Sequence, residues 1–533
     1  MNPKSVAIAF LLGAMSAWMY GHRLDYAPPY VEIDEVLIGL EAHAIQSTGH
    51  DLGGEFLPLY SQTAEHSWYQ PFVIYLTALA LKIVPLSEWA VRAPTVCIGV
   101  INIALIYFVA RHLFGSELFG VIAAGLLAMS PAHFIHGRYG MDYLYPVPFV
   151  LAWVLCLALY TEQRRTWVLA IGTSLLGIGF YSYISSIVMM PLYFAVTCLV
   201  LRGQQAPRRL YGVAAAAFLP LLLPFLVWLV RHPSAYGATV TKYGLYDASR
   251  LDAVQGLRSL VSYQSVSERL SHYWNFFNPS FLFFGSGTKL MFSTNRAGVF
   301  LLPLAVFLMV GIWQALKHRA SAINLVLLVG FATAPFAALI VSEENAIFRA
   351  LALLPFGVLL ATMGVQHVWS GAMATRLPVK QWRILAACLL VLAPVQFAYF
   401  WTDYFSDYRV RSGYWLGGNI RGALEALIDR DEREHAPGIY FGTLQSSAGQ
   451  IDGRNQYMDA YWKFYLTKHD RQDLLARTMP FEPQNLRTMA PGSLVLANLG
   501  DTTTDALVSK GELKQVKAID ELDHTSFFVV LQR

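Results

Sequence analysis

Long apolar runs, each about 17 to 25 positions and separated by short polar or basic stretches, recur along the chain and predict helices of membrane-spanning length. They fall near residues 6–20, 94–112, 118–134, 144–160, 167–181, 184–201, 210–230, 298–316, 321–341, 347–368 and 383–401. The pattern therefore predicts about eleven transmembrane helices. Pro220, Pro224, Pro303, Pro335 and Pro355 lie within these runs, where neighbouring helices can re-satisfy the carbonyls that proline frees.

The basic residues supply an independent check on topology, because cytoplasmic loops are enriched in Lys and Arg. Arg111, Arg164 with Arg165, Arg202 with Arg208 and Arg209, Lys317 with Arg319, and Arg376 with Lys380 and Arg383 all fall in alternate short loops. Those loops are assigned to the cytoplasm. The first run, Val6 to Tyr20 behind Lys4, lacks a small-x-small cleavage signature, so a retained helix with a cytoplasmic amino end is expected. An odd number of spans then puts the carboxyl end outside.

Two long segments face outward on this reading. Residues 21–93 contain amphipathic pieces, Val31 to Gln46 and Phe72 to Val84, suited to the membrane surface. Residues 232–297 are rich in Tyr, Ser and Asn and end in an aromatic run from Tyr273 to Phe284, which is long for an idle connector. From about residue 402 the composition turns to that of a soluble domain. A helical pattern at 419–433 and strand-like runs at 438–441, 493–497 and 526–531 predict a small α/β domain. The expected fold class is mainly α: a polytopic membrane module over 1–401 carrying the two outer loops, then a C-terminal extracytoplasmic α/β domain over 402–533.

Composition agrees. The 533 residues are 55% hydrophobic and 14% charged, and the formal net charge is +4. A lipid bilayer is the implied partner, and without a basic stripe interleaved with aromatics nucleic acid is not. Cys97, Cys156, Cys198 and Cys388 all lie in apolar runs without paired spacing, so they read as small hydrophobic residues.

Ionisable groups near a membrane are costly and ask for a partner or a task. Four clusters stand at outward ends of the expected spans. The first is Glu32, Asp34, Glu35 and Glu41, followed by Thr48-Gly49-His50-Asp51-Leu52-Gly53-Gly54. On a helix starting near Asp34, Glu41 would share its side, whereas Glu35 would point about 100° away, so the adjacent acids cannot share one role. As a bland alternative, Asp34 and Glu35 could simply favour a helix amino terminus. The second runs from Trp68-Tyr69-Gln70-Pro71 to Val91-Arg92-Ala93-Pro94, where Arg92 could equally snorkel. The third is His133, His136, Arg138 and Asp142; Arg138 and Asp142 could pair with each other, and the histidines lack a further ligand nearby. The fourth is Ser342-Glu343-Glu344-Asn345 with Phe348-Arg349, a guanidinium suited to a phosphate.

These residues resemble the GT-C membrane glycosyltransferases, in particular the bacterial protein O-mannosyltransferase and aminoarabinose-transferase branch. The likeness rests on Asp34-Glu35 in the first outer loop, the 48–54 stretch with Leu57-Pro58, Val91-Arg92-Ala93-Pro94, Ser130-Pro131 with Arg138, Phe277 to Phe284 with Gly298 and Pro303, and Arg349 with Pro355. The chain departs from the pattern in two places. It reads Tyr69-Gln70-Pro71 where the aminoarabinose branch has Lys-Pro-Pro, and Val36-Leu37 where the eukaryotic mannosyltransferases continue with His-Phe.

The resemblance implies an inverting glycosyltransferase of a bacterial inner membrane that uses a polyprenyl-phosphate-linked sugar. Its acceptor hydroxyl would belong to a protein, a glycolipid or a cell-wall glycan. It implies Asp34 as base with Glu35 beside it, and Arg92, Arg138 and Arg349 on the donor phosphate. Asp142 and Tyr69 become supporting residues. No cofactor is expected and no metal ligand set is assigned, although a divalent metal remains open. The competing class is a transporter of a lipid or glycan precursor, which would place carboxylates or broken helices at mid-span.

Overall fold

The computed structural model describes residues 3–62, 68–285, 287–371, 378–446, 449–452 and 456–533, so Arg376 of the basic series lies outside the described residues. Among these, seven helices are long and apolar enough to cross a membrane: Pro3–Gly21, Glu88–Phe114, Asp142–Gln163, Ser186–Gly203, Arg208–Arg231, Ala322–Val341 and Val379–Phe405. Five shorter apolar helices are Pro71–Leu81, Glu117–Ala128, Thr166–Gly179, Leu304–Lys317 and Leu353–Trp369. All seven long helices and the last four short ones coincide with expected spans. Pro71–Leu81 falls in the first outer segment, where a surface piece was expected.

The departures are in length and continuity, and proline and glycine account for them. Leu219–Leu222 is a 3-10 turn between Arg208–Phe218 and Leu223–Arg231; Pro220 within it and Pro224 at the start of the next helix cannot donate to the helical ladder. Pro335 likewise separates Ala322–Thr333 from Phe336–Val341. The run expected at 298–316 becomes helical only at Leu304. Its first residues instead lie along a π-helical turn, Ser280–Phe284, with Val299 N donating to Phe281 O and Phe300 N to Leu282 O. A Cβ on Gly298 would stand 2.4 Å from the Phe283 nitrogen, so only glycine permits that approach.

The chain divides into two compact units. One comprises Met1–His22, Leu59–Val73 and Ala93–Thr402, and holds most of the apolar helices. Its tightest crossing pairs Leu304–Lys317 with Leu353–Trp369. A Cβ on Gly311 would sit 1.8 Å from the Leu360 carbonyl oxygen, and one on Gly364 would sit 1.9 Å from that of Phe307. Small residues at such crossings let backbones meet where no hydrophobic effect drives helices together.

The other unit comprises Arg23–Pro58, Ile74–Arg92 and Asp403–Arg533. The expected α/β domain is present. Its five-stranded sheet runs Thr478–Pro480, Ile439–Phe441, Leu494–Asn498, Ser526–Gln532, Lys514–Asp520. The first three strands are parallel and the last two pairings antiparallel. Tyr440, Met489, Val495, Leu513, Val529 and Leu531 build a core on the sheet. The helix expected at 419–433 is Ile420–Glu434. The unit also takes in most of the first outer loop, which the sequence had grouped with the spans. Gly39 of the helix Ile33–Thr48 explains why: a Cβ there would be 2.9 Å from the Phe464 ring and from Val91.

Candidate active site

The expected site residues divide between the two units, and each set is described within its own. In the unit with the C-terminal domain, Ile33–Thr48 begins with Glu32 as its N-cap, in extended conformation. The Glu32 carboxylate accepts from Asp34 N at 2.7 Å, and Glu35 Oε2 accepts from Glu32 N at 3.2 Å, completing a capping box. Burial, with the Asp34 charge next, pushes the Glu32 carboxyl above the ordinary carboxylate range. Glutamate is an unusual cap; the only sequence signal was the Glu-x-x-Glu spacing of positions 32 and 35.

Glu35 is fully buried and meets Arg92, itself 1% exposed. Arg92 Nε donates to Glu35 Oε1 at 2.8 Å, and Nη2 to Oε2 at 3.0 Å. Nη1 donates to the Leu24 and Pro28 carbonyls, and Nη2 also to that of Tyr30. A guanidinium has five N–H groups, and these contacts engage every one. Where the sequence reading put Arg92 on a donor phosphate, the structure commits its donors to Glu35 and to the loop that precedes Asp34. Glu35 has both oxygens on Arg92 and one also on the cap. Asp34, the next position round the helix, remains partly exposed.

Glu41 was expected on the side of Asp34. It is buried, and its Oε2 accepts from Leu52 N at 3.0 Å, tying the helix to the glycine-rich loop. Burial pushes its carboxyl up to about 7, against the Leu52 N–H and with the charge of Asp51 adding to it. The loop itself is closed locally. Gly49 caps the helix at φ +77°, Asp51 N donates to Glu55 O, Glu55 N to Asp51 Oδ1, and Leu57 N to Gly49 O. The glycines of the 48–54 stretch thus serve the turn.

In the other unit, Arg138 follows the short helix Pro131–His136 and is fully buried. Its Nη1 donates to Tyr20 O at 2.5 Å, and its guanidinium lies 5.3 Å from the Phe134 ring centre. His133 Nδ1 meets Tyr20 Oη at 2.7 Å, and its Nε2 lies 3.3 Å from Asn102 Nδ2. His136 Nδ1 meets Ala132 O at 2.7 Å, and its ring stacks on Phe292. Both histidines are thus core side chains with protein partners. Among the described residues, no group of three or more His, Cys, Asp or Glu side chains could hold a metal.

Asp142 opens a 3-10 turn at the start of the next span. Tyr69 pairs with Ser61 in a two-stranded hairpin, and that hairpin's Trp68 packs 4.8 Å from Trp228. Arg349 ends the 3-10 turn Ile347–Arg349. Its Nε donates to Glu343 Oε2 at 2.8 Å, and its guanidinium lies 5.0 Å from the Tyr243 ring and 4.9 Å from Phe348. It lines a small cavity with Tyr143, Tyr183 and Ser185. Burial pushes the Tyr183 phenol up, whereas the Arg349 charge pulls it down and that of Asp142 pushes it up. Tyr143 and Tyr183 went unnoticed in the sequence because nothing distinguishes them from other interfacial aromatics.

The apolar helices, the capped acidic helix and the appended α/β domain define a class: the chain has the fold of the GT-C membrane glycosyltransferases. Within it, the likeness is to ArnT and the protein mannosyltransferases. Residues 66–228 match the family described as dolichyl-phosphate-mannose-protein mannosyltransferase. The crystal structure of ArnT from Cupriavidus metallidurans bound to undecaprenyl phosphate superposes with a TM-score of 0.51 at 13% identity, over 99% of this chain and 97% of that one. Its apo form gives 0.50 at 14%, over the same shares. The Archaeoglobus fulgidus oligosaccharyltransferase tethered with an acceptor peptide gives 0.51 at 14%, over 93% of this chain and 69% of that one. The sequence finds no match among curated proteins.

Proposed function

We propose that the chain is an inverting glycosyltransferase that moves a sugar from a polyprenyl-phosphate donor to an acceptor hydroxyl on the extracytoplasmic side of a bacterial inner membrane. The observation that carries this reading is the presentation of Asp34. In a chain with the ArnT fold, Asp34 is partly exposed on the first turn of a helix whose start is fixed by a buried Glu35–Arg92 pair.

In the proposed reaction Asp34 takes the proton from the acceptor hydroxyl as its oxygen attacks the anomeric carbon from the face opposite the phosphate. The new C–O bond forms as the bond to the phosphate oxygen breaks, and polyprenyl phosphate leaves with the bonding pair. Negative charge grows on that oxygen, so cations must meet it. Arg349 is the first choice. Its Nε is held by Glu343, while Nη1 and Nη2 make no hydrogen bond among the described residues. Arg138 is the second choice, with Asp142 and Tyr69 as supporting residues. Apolar tails of the donor suit the lipid-facing helices.

The test is to incubate the purified protein with a panel of polyprenyl-phosphate sugars and candidate acceptors, scoring released polyprenyl phosphate. One donor consumed in an acceptor-dependent way is the expected result. Binding of every donor without turnover would favour the transport alternative.

A further inference from the structure

The backbone leading into Asp34 is held by side chains from far along the chain. Val31 O accepts from Tyr461 Oη at 3.0 Å, while the preceding carbonyl, of Tyr30, accepts from Arg92. The Tyr30 hydroxyl donates to Glu521 Oε2 at 2.8 Å, and Glu521 Oε1 accepts from Asn419 N at 2.7 Å. Arg409 Nε donates to Tyr26 O at 2.9 Å, and its guanidinium lies 3.9 Å from the Tyr26 ring centre. Tyr461, Glu521, Asn419 and Arg409 all belong to the C-terminal segment.

One helix face does most of this work. On Gln456–Lys468, positions 461, 464 and 468 fall on one side by helical spacing. Tyr461 reaches the Val31 carbonyl, and Phe464 packs against Gly39. Lys468 Nζ donates to Glu88 Oε1 at 3.0 Å and to Glu425 Oε1 at 2.8 Å. Glu88 opens the helix that carries Arg92 one turn later. The same face therefore grips the helix bearing Asp34 and the helix bearing the partner of Glu35. Burial, then the charges of Glu32, Glu35 and Asp34, push the Tyr461 phenol up, which keeps it a neutral donor.

We propose that the C-terminal domain is a positioning device for the reaction, in which the Tyr461 hydroxyl, by fixing the Val31 carbonyl three residues before Asp34, holds the Asp34 carboxylate in one pose. This rests on the reading of Asp34 as base. Tyr461 is a positioning residue, acting through the backbone. Misplacing a reacting group by an ångström can cost up to about a hundredfold in rate, so a carboxylate at the amino end of a helix is sensitive to slack in the residues before its cap.

The test uses the full chain in nanodiscs with Tyr461→Phe, which keeps the ring and removes only the hydroxyl. The expected result is a kcat lowered about tenfold with donor KM unchanged, together with faster amide hydrogen exchange across residues 31–35. Exchange at those amides matching the wild type overturns the proposal, and so does an unchanged kcat despite faster exchange. Asp34→Asn is measured alongside. Full turnover by that variant would overturn the base assignment, while the exchange comparison would still decide whether Tyr461 clamps the loop.

Discussion

Glu35 and Arg92 are withdrawn from solvent together, at 0% and 1% exposure, so each is the condition for burying the other. Removing one partner leaves an uncompensated charge, which costs about 3–5 kcal/mol. Glu35→Ala is therefore expected to lower the thermal unfolding midpoint in detergent sharply. Arg92→Lys should do nearly as much, because an ammonium cannot reproduce a bidentate carboxylate contact and three carbonyl contacts. Glu41 makes a different prediction. Its carboxyl stands at about 7 in the folded chain against an ordinary 4.5. Between those values the folded state holds the proton and the unfolded state does not. The group's contribution is then fully present below pH 4.5 and is lost as pH rises through 7, an effect on the order of 1–3 kcal/mol. Unfolding midpoints at pH 5 and pH 8 should show that decline, and Glu41→Gln should flatten it.

Among the elements, the crossing at Gly311 and Gly364 is the least tolerant of a methyl group. Either glycine changed to alanine would drive a Cβ into a facing carbonyl oxygen. Separation of the helices should destabilise the chain by about 1–3 kcal/mol, read as a lower midpoint, while Gly212→Ala, in a helix with open space around it, should hold or raise the midpoint. The positions of the apolar helices were legible in the sequence because lipid imposes one simple requirement on them. Their ends were not. Where Gly298 lets residues 299 and 300 bond along the 280–284 turn, the apolar run continues although the helix does not. Hydropathy registers the solvent, not the backbone partner. The strands around Val495 and Val529 were legible as short continuous apolar runs carrying β-branched residues, whereas the cap at Glu32 was hidden because capping is usually read from Ser, Thr, Asp and Asn.

At the scale of the whole molecule, the charged residues near the ends of the apolar runs stood out in the sequence more readily than the partners each one has. Arg92 and Arg349 looked equivalent as arginines near the ends of apolar runs. Their difference lies in their partners: the distant Leu24, Pro28 and Tyr30 carbonyls and Glu35 for the first, the nearby Glu343 and the Phe348 and Tyr243 rings for the second. The grouping of the first outer loop with the C-terminal domain was equally invisible, since it depends on Tyr461 meeting Val31 across some four hundred residues. The central claim, that Asp34 is the base of a lipid-linked sugar transfer, is tested most directly by single-turnover kinetics of Asp34→Asn against the wild type. The assay uses the polyprenyl-phosphate sugar that the wild type consumes. The expected result is normal donor binding with the rate of polyprenyl phosphate release reduced by about three orders of magnitude. Release at the wild-type rate by a folded Asp34→Asn protein would contradict the claim.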